Sequence, residues 1–206
     1  MKPVAWGIIS TANIGVAKVI PGMMKSDRLK IVALSSRKTA TARRWAASLG
    51  IERAYGSYAE MLADPEIEAV YNPLPNHLHV PLTLAAARAG KHVLCEKPIA
   101  LSAKEAVELR KAPRGILIAE AFMVRHASQW RAVRKLVQKG RIGEVRAIQV
   151  FFSYFNRDPK NVRNMAAIGG GLNTGTLTLT AKPVEAGAVS GAMAALKPTG
   201  GTGTTA

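Results

Sequence analysis

Glu96 and Lys97 put an acid and a base side by side, with Pro98 directly after them. A lysine so placed can hold a substrate oxygen and exchange a proton with it, provided the chain sets it beside a bound molecule. The preceding residues offer that setting. Gly90 closes a helix, and His92-Val93-Leu94-Cys95 reads as a short buried strand. In an open parallel sheet, ligands sit just beyond the carboxyl ends of the strands, where Glu96 and Lys97 would project. Read alone, a charged pair after a strand is ordinarily a solvated loop with an ion pair worth little. The elements around it decide between the two readings.

The first of these elements is Val4 to Ile9, a continuous apolar run suited to a strand covered on both faces. It leads into Ser10-Thr11-Ala12-Asn13-Ile14-Gly15 and a helical stretch through about Met24. Strand, tight turn and helix in this order can cradle a pyrophosphate on the free N–H groups of the helix start. Where G-x-G-x-x-G asks for three glycines, the chain has Ser10, Ala12 and Gly15. The methyl of Ala12 is tolerable if the turn needs no positive φ there. A second strand, Lys30 to Ser35, is followed by Ser36, Arg37 and Lys38. An NAD-binding domain places an acid about twenty residues after the loop to hold the ribose 2′-hydroxyl. A hydroxyl and two cations suit a 2′-phosphate instead, so the spacing predicts NADP(H), with NAD the less favoured cofactor. The alternative is that Arg37 and Lys38 merely open the next helix, Thr39 to Leu49.

Ile67 to Tyr71 is another apolar strand, and it delivers Asn72-Pro73-Leu74-Pro75-Asn76-His77-Leu78-His79 at its carboxyl end. Two prolines stiffen that loop, whose apolar edge could lie along a nicotinamide ring. His77 and His79 have no third ligand at suitable spacing, so no metal is expected, and His79 reads as a hydrogen-bond partner lining the pocket. Pro81 opens a helix that Gly90 ends. Ser57-x-x-Glu60 and Ser102-x-x-Glu105 read as capping boxes, Ile116 to Ala119 as a strand, and Glu144 to Tyr154 as a longer strand of a different sheet.

At 206 residues the chain can hold one large domain, or one complete domain and part of another. Its single cysteine, Cys95, excludes an internal disulfide, and the apolar setting argues for an inert thiol. Met1-Lys2-Pro3 precede an apolar run that soon meets Ser10 and Asn13, a run too short for a secretion signal or a membrane span, so a cytoplasmic protein without membrane contact is expected. The net charge of +16 favours polyanions. The basic residues are nevertheless scattered, with neither a zinc-ligand pattern nor an RNA-binding aromatic signature, which argues against nucleic acid as partner. Arg131, Arg134, Lys135, Lys139 and Arg141 read as one solvated helix face. Repeated strand-helix units give an α/β class: a Rossmann-type doubly wound parallel sheet over residues 1–120, then an incomplete α+β second domain over 121–171.

Together GIISTANIG, LSSRK, YNPLPNHLH, GKHVLCEKP, EAFMVRH and RIGEVRAIQVFFSYFNRDP resemble successive blocks of the glucose-fructose oxidoreductase, inositol dehydrogenase and MocA family, in the family's order over residues 1–171. The resemblance implies NADP-linked hydride transfer to or from a carbon bearing a hydroxyl or carbonyl, with a sugar or cyclic polyol as substrate. It implies cofactor contacts at Ser10, Thr11, Ala12, Asn13, Ile14, Ser36, Arg37 and Lys38, with Leu74, Pro75, Asn76 and His79 at the nicotinamide end. Glu96 would orient the site, Lys97 would polarise the substrate oxygen and move its proton, and Arg125 and Tyr154 would lie toward the substrate. Full-length members of the family are expected to be homo-oligomers. After Gly171 the likeness ends. Relatives continue with an Asp-x-Gly segment and a His or Tyr proton donor, whereas 172–206 is dominated by Thr, Ala and Gly without an aromatic residue. The expectation is a low-complexity, disordered tail produced by a lost reading frame. Two alternatives stand beside these: an edge strand within Thr176 to Thr180, and a catalytically silent dinucleotide-binding or regulatory protein.

Overall fold

The computed structural model describes residues 2–149, 158, 161, 165–168 and 178–180. Apolar runs without alternation demand burial on both faces, and the strands obtain it. Within each central strand, neighbouring residues enter opposite cores. Ile9, Val32 and Val70 pack with Met61, Leu62 and Ala86 on one side. Ile8, Ile31 and Tyr71 pack with Val16, Ile20, Ala42 and Ala46 on the other. Each fully buried aliphatic side chain contributes about 1.5–3 kcal/mol.

The strands are β1 (Val4–Ile9), β2 (Leu29–Ser35), β3 (Arg53–Tyr55), β4 (Ala69–Asn72), β5 (His92–Cys95) and β6 (Ile118–Glu120). All pair in parallel, in the order β3-β2-β1-β4-β5-β6. The chain runs outward from β1 through β2 to β3, then crosses to β4 and runs the other way. The direction therefore reverses between β1 and β4, which opens a crevice at their carboxyl ends. The doubly wound Rossmann-type sheet expected from the sequence is the fold observed.

A π-helical turn, Gly15–Val19, continues into α1 (Ile20–Met23), and α2 (Thr39–Leu49) covers the same face. The opposite face carries α3 (Tyr58–Ala63) and α4 (His79–Arg88). α5 (Ala103–Val107) and α6 (Ser128–Gln138) complete the described α-helices. The serine half of each expected capping box forms, since Ser57 Oγ accepts from Glu60 N–H at 3.2 Å and Ser102 Oγ accepts from Glu105 N–H at 3.2 Å, while the two glutamate carboxylates accept from the N–H groups one residue before the caps, Gly56 and Leu101. Each such cap is worth about 1 kcal/mol.

Some boundaries move. α4 begins at His79 rather than Pro81, because a proline is tolerated anywhere in a first turn whose N–H groups have no intrahelical acceptor. β6 starts at Ile118 rather than Ile116: Gly115 at φ +88° and the Ile116 N–H to Pro113 C=O bond extend the preceding turn. Of the long strand expected over Glu144 to Tyr154, β7 (Ala147–Gln149) is described, and the remainder lies outside the described residues. β7 pairs antiparallel with β8 (Thr178–Thr180), inside the Thr/Leu alternation. The rest of 172–206, for which disorder was expected, also lies outside the described residues. Among the described residues no helix is long and apolar enough to cross a membrane.

Candidate functional site

The site residues collect on one edge of the sheet because parallel strands bring all their carboxyl ends to the same side. Ser10 leaves β1, Ser36 leaves β2, Asn72 ends β4 and Glu96 leaves β5. Arg37 and Lys97 therefore stand at the tips of β2 and β5, separated by three strand spacings, about 14 Å. One extended ligand crossing β1 and β4 can address both.

At the β1 tip, Ser10 N–H donates to Ser35 C=O at 3.1 Å, and Ser10 adopts φ +84°. The positive φ thus falls on Ser10 and not on Ala12, which answers the condition the sequence attached to Ala12. Ser10 Oγ accepts from Ala12 N–H at 3.1 Å. Thr11 and Ala12 are half-buried, while Asn13 and Ile14 are exposed at the start of the helix, where backbone N–H groups have no intrahelical acceptor. Gly15 packs against the next loop. A Cβ built there would lie 3.5 Å from Pro73 Cγ and 3.6 Å from Tyr71 Cε1, ordinary contact distances.

At the β2 tip, Ser36 N–H donates to Tyr55 C=O, and Arg37 and Lys38 are exposed. No carboxylate stands among these residues to meet a ribose diol. Tyr58 lies within electrostatic reach of Arg37: burial raises its phenol above the ordinary value, and the Arg37 guanidinium works against that rise.

The β4 and β5 tips are bound into one unit. Glu96 N–H donates to Asn72 C=O at 3.0 Å. The Tyr71 hydroxyl donates to Glu96 Oε1 at 2.7 Å, and Lys97 N–H donates to Glu96 Oε2 at 3.2 Å. Burial first, and then the Glu96 carboxylate beside it, hold the Tyr71 phenol far above its ordinary pKa. Asn72 is fully buried; its amide donates to His79 C=O at 3.2 Å, and its Oδ1 accepts from Leu74 N–H at 3.3 Å. β6 closes the other side, where Glu120 Oε1 accepts from Ile99 N–H at 2.9 Å. Glu96 and Lys97 are half-buried at the centre of this lattice.

Two of the residues expected at the nicotinamide end lie in the interior, His79 and Leu74. His79 is the more deeply set. It is 0% exposed, with Nδ1 2.6 Å from Pro98 C=O and Nε2 2.7 Å from Leu74 C=O, so the nitrogen that carries the proton donates to its carbonyl and the ring lies between the two loops that flank the edge. Leu74 is likewise turned into the core beside Ile9 and Val70, because a large aliphatic side chain gains more there than at a wet edge. Pro75 and Asn76 remain half-buried at the loop surface. Arg125 is exposed in the 3₁₀ turn Met123–Arg125 beyond β6, and Tyr154 lies outside the described residues. Cys95 is buried, and burial pushes its thiol up to about 12, which fits the inert reading.

Tyr71, Asn72 and Glu120 are the site residues the sequence did not single out. Asn72 had a readable signal, a polar residue closing an apolar strand. Tyr71 had none, since a tyrosine in such a run reads as core.

Comparison with known proteins agrees with the Rossmann-type fold. Residues 4–115 match the GFO_IDH_MocA family, described as an oxidoreductase family with an NAD-binding Rossmann fold. The chain is 54% identical over 173 residues to the oxidoreductase ORF334 of Rhizobium meliloti, covering 83% of this chain and 52% of that protein. It is 42% identical over 152 residues to D-xylose 1-dehydrogenase (NADP(+)) 2 of Haloferax volcanii, covering 72% and 46%. KijD10, a 3-ketoreductase from Actinomadura kijaniata solved with NADP and TDP-benzene, superposes with a TM-score of 0.75 at 33% identity over 82% of this chain and 52% of its own. The chain spans about half the length of the relatives it matches.

Proposed function

We propose a function from the premise that this chain belongs to the Gfo/Idh/MocA oxidoreductase family: it binds NADP(H) across the carboxyl edge of its sheet and serves hydride transfer between the nicotinamide and a sugar or cyclic polyol. The observation that carries the reading is the alignment of Arg37, the Ser10–Ile14 loop and the Glu96-Lys97 pair along the single edge β2-β1-β4-β5. The residues fit such a cofactor. Backbone N–H groups at the start of the first helix suit a pyrophosphate. Ser36, Arg37 and Lys38, with no acid among them, suit a 2′-phosphate. The naming of one relative as NADP(+)-linked and the NADP bound to KijD10 point the same way.

When bound, the nicotinamide supplies the hydride chemistry and the protein supplies position. The half-buried Lys97 is the group to hold a substrate oxygen and to accept or return its proton at Nζ. Glu96 fixes the backbone that carries Lys97, through its contact with Lys97 N–H, and is itself fixed by Tyr71. Pro75 and Asn76 border the nicotinamide end, with His79 beneath them as the tie between loops.

Fluorescence titration of the 206-residue chain with NADPH and NADH tests the cofactor. NADPH is expected to bind more tightly. Equal or tighter binding of NADH removes the 2′-phosphate assignment, and binding of neither removes the dinucleotide reading. A panel of sugars and cyclic polyols with NADP⁺ then tests hydride transfer. NADPH binding without turnover on any of them selects the alternative, a catalytically silent dinucleotide-binding protein.

A further inference from the structure

We propose that Glu120, at the end of β6, is a positioning residue for Lys97: its carboxylate closes the loop that carries the lysine. The proposal rests on the oxidoreductase reading above, in which Lys97 holds the substrate oxygen, and adds a residue of the neighbouring strand on which the place of that lysine depends. β5 and β6 pair with Cys95 opposite Glu120. The next backbone bond, Ala121 N–H to Cys95 C=O at 2.7 Å, fixes the point where the chain leaves β5. After Glu96, Lys97 and Pro98 the chain returns to the same partner, because Ile99 N–H donates to Glu120 Oε1 at 2.9 Å. One residue of β6 thus holds both ends of the segment, through its place in the ladder and through its side chain.

The other contacts show what this one adds. On the β5 side Glu96, braced by Tyr71, holds Lys97 N–H at 3.2 Å. Pro98 has no N–H, so Ile99 offers the first backbone donor beyond the lysine, and Glu120 takes it. From the α4 side the His79 ring faces Pro98 C=O, but that ring is buried and also fills the interior. Glu120 is exposed, at the end of the last strand in the described sheet order. A glutamate there ordinarily keeps its rotamer freedom in water. Its side chain adds nothing to the core, so the bond to Ile99 is what it contributes. The acceptor is a carboxylate, which makes the bond stronger than one between neutral groups. The Cys95 thiol, raised chiefly by burial, is raised further by Glu96 and Glu120, so the two acids share one strand end. Placement matters at such a site: a shift of about 1 Å can cost roughly a hundredfold in rate.

The test compares the wild-type chain with Glu120→Ala and Glu120→Gln. Hydrogen exchange at the Ile99 amide reads the bond itself. Carbon-13 NMR after reductive methylation of the lysines reads the surroundings of Lys97, whose signal is assigned by its loss in Lys97→Arg. In Glu120→Ala the Ile99 amide is expected to exchange roughly tenfold faster, as for a lost hydrogen bond to a charged group that water partly replaces, and the Lys97 signal to move. Glu120→Gln keeps an oxygen that accepts the N–H and should restore most of both. A Lys97 signal in Glu120→Ala identical to the wild type's overturns the proposal even where the melting temperature falls, because a merely structural role lowers stability without moving that signal. Failure of Glu120→Gln to restore the signal also overturns it, since the effect would then belong to the charge and not to the bond. A wild-type chain that binds neither NADPH nor NADH defeats the parent reading instead, while exchange at Ile99 and the Lys97 signal still decide the role of Glu120.

Discussion

Replacing Tyr71 with Phe isolates one contact between the core and the proposed catalytic loop. The ring is fully buried and isosteric with phenylalanine, so the change opens no cavity and removes only the O–H that donates to Glu96 Oε1 at 2.7 Å. A hydrogen bond to a charged group contributes about 1.5–3 kcal/mol. Glu96 is half-buried and water can replace part of the lost bond, so the expected destabilisation at neutral pH is about 1–1.5 kcal/mol. The dependence on pH carries the sign. The folded-state phenol lies far above the ordinary value, first through burial and then through Glu96, so the contribution of Tyr71 is whole below pH ~10 and is lost as pH rises further. One pH unit above an unfolded-state pKa near 10, ionisation favours the unfolded chain by about 1.4 kcal/mol. That matches the advantage of the hydroxyl, so the denaturation curves of Tyr71→Phe and wild type should converge near pH 11 and cross beyond it. Urea denaturation of both proteins between pH 7 and pH 11.5 measures this. A difference that stays constant with pH, or that grows above pH 10, would refute the claim that a buried neutral phenol braces the Glu96 loop.

Arg37→Ala is expected to weaken NADPH binding about tenfold while leaving NADH within about twofold, because it removes a guanidinium suited to a 2′-phosphate; equal losses for both cofactors in the same titration count against the assignment. At Asp64, burial raises the carboxyl, but the Tyr55 hydroxyl at 2.7 Å, the Glu66 N–H and Arg53 together outweigh it and hold the pKa below the ordinary value. Asp64→Asn should therefore cost about 2 kcal/mol at pH 7, discounted because Arg53 is partly exposed and keeps Glu66, and the cost should fade as pH drops below about 4; denaturation at pH 7 and pH 3 reads it. Cys95 should resist a thiol reagent in the native chain at pH 8 and react once the chain is unfolded, and rapid native labelling would contradict its burial.

Much of this was legible because it is local. Val4–Ile9, Thr39–Leu49 and His92–Cys95 have the limits the sequence suggested, since uninterrupted apolar runs and helical periodicity fix such elements with little help from distant residues. Ser57 and Ser102 cap the helices that follow them, as a serine three residues before a glutamate does. The sequence is least legible where partners distant in the chain compete for a side chain. His79 reads from its neighbours as a hydrogen-bond partner, but nothing local says with what. The carbonyls that face its two ring nitrogens belong to Leu74 and to Pro98, the latter nineteen residues on.

By itself the sequence determined the kind of sheet, the order of its helices and the charge at each strand end, because burial pattern and turn chemistry are written in neighbouring residues. Only the tertiary structure decided that Ser10 bears the positive φ, that Tyr71 reaches Glu96, and that His79 and Leu74 turn away from the edge. Each of these depends on what stands across the crevice between strands. That crevice exists only once β1 and β4, some sixty residues apart in the chain, lie side by side.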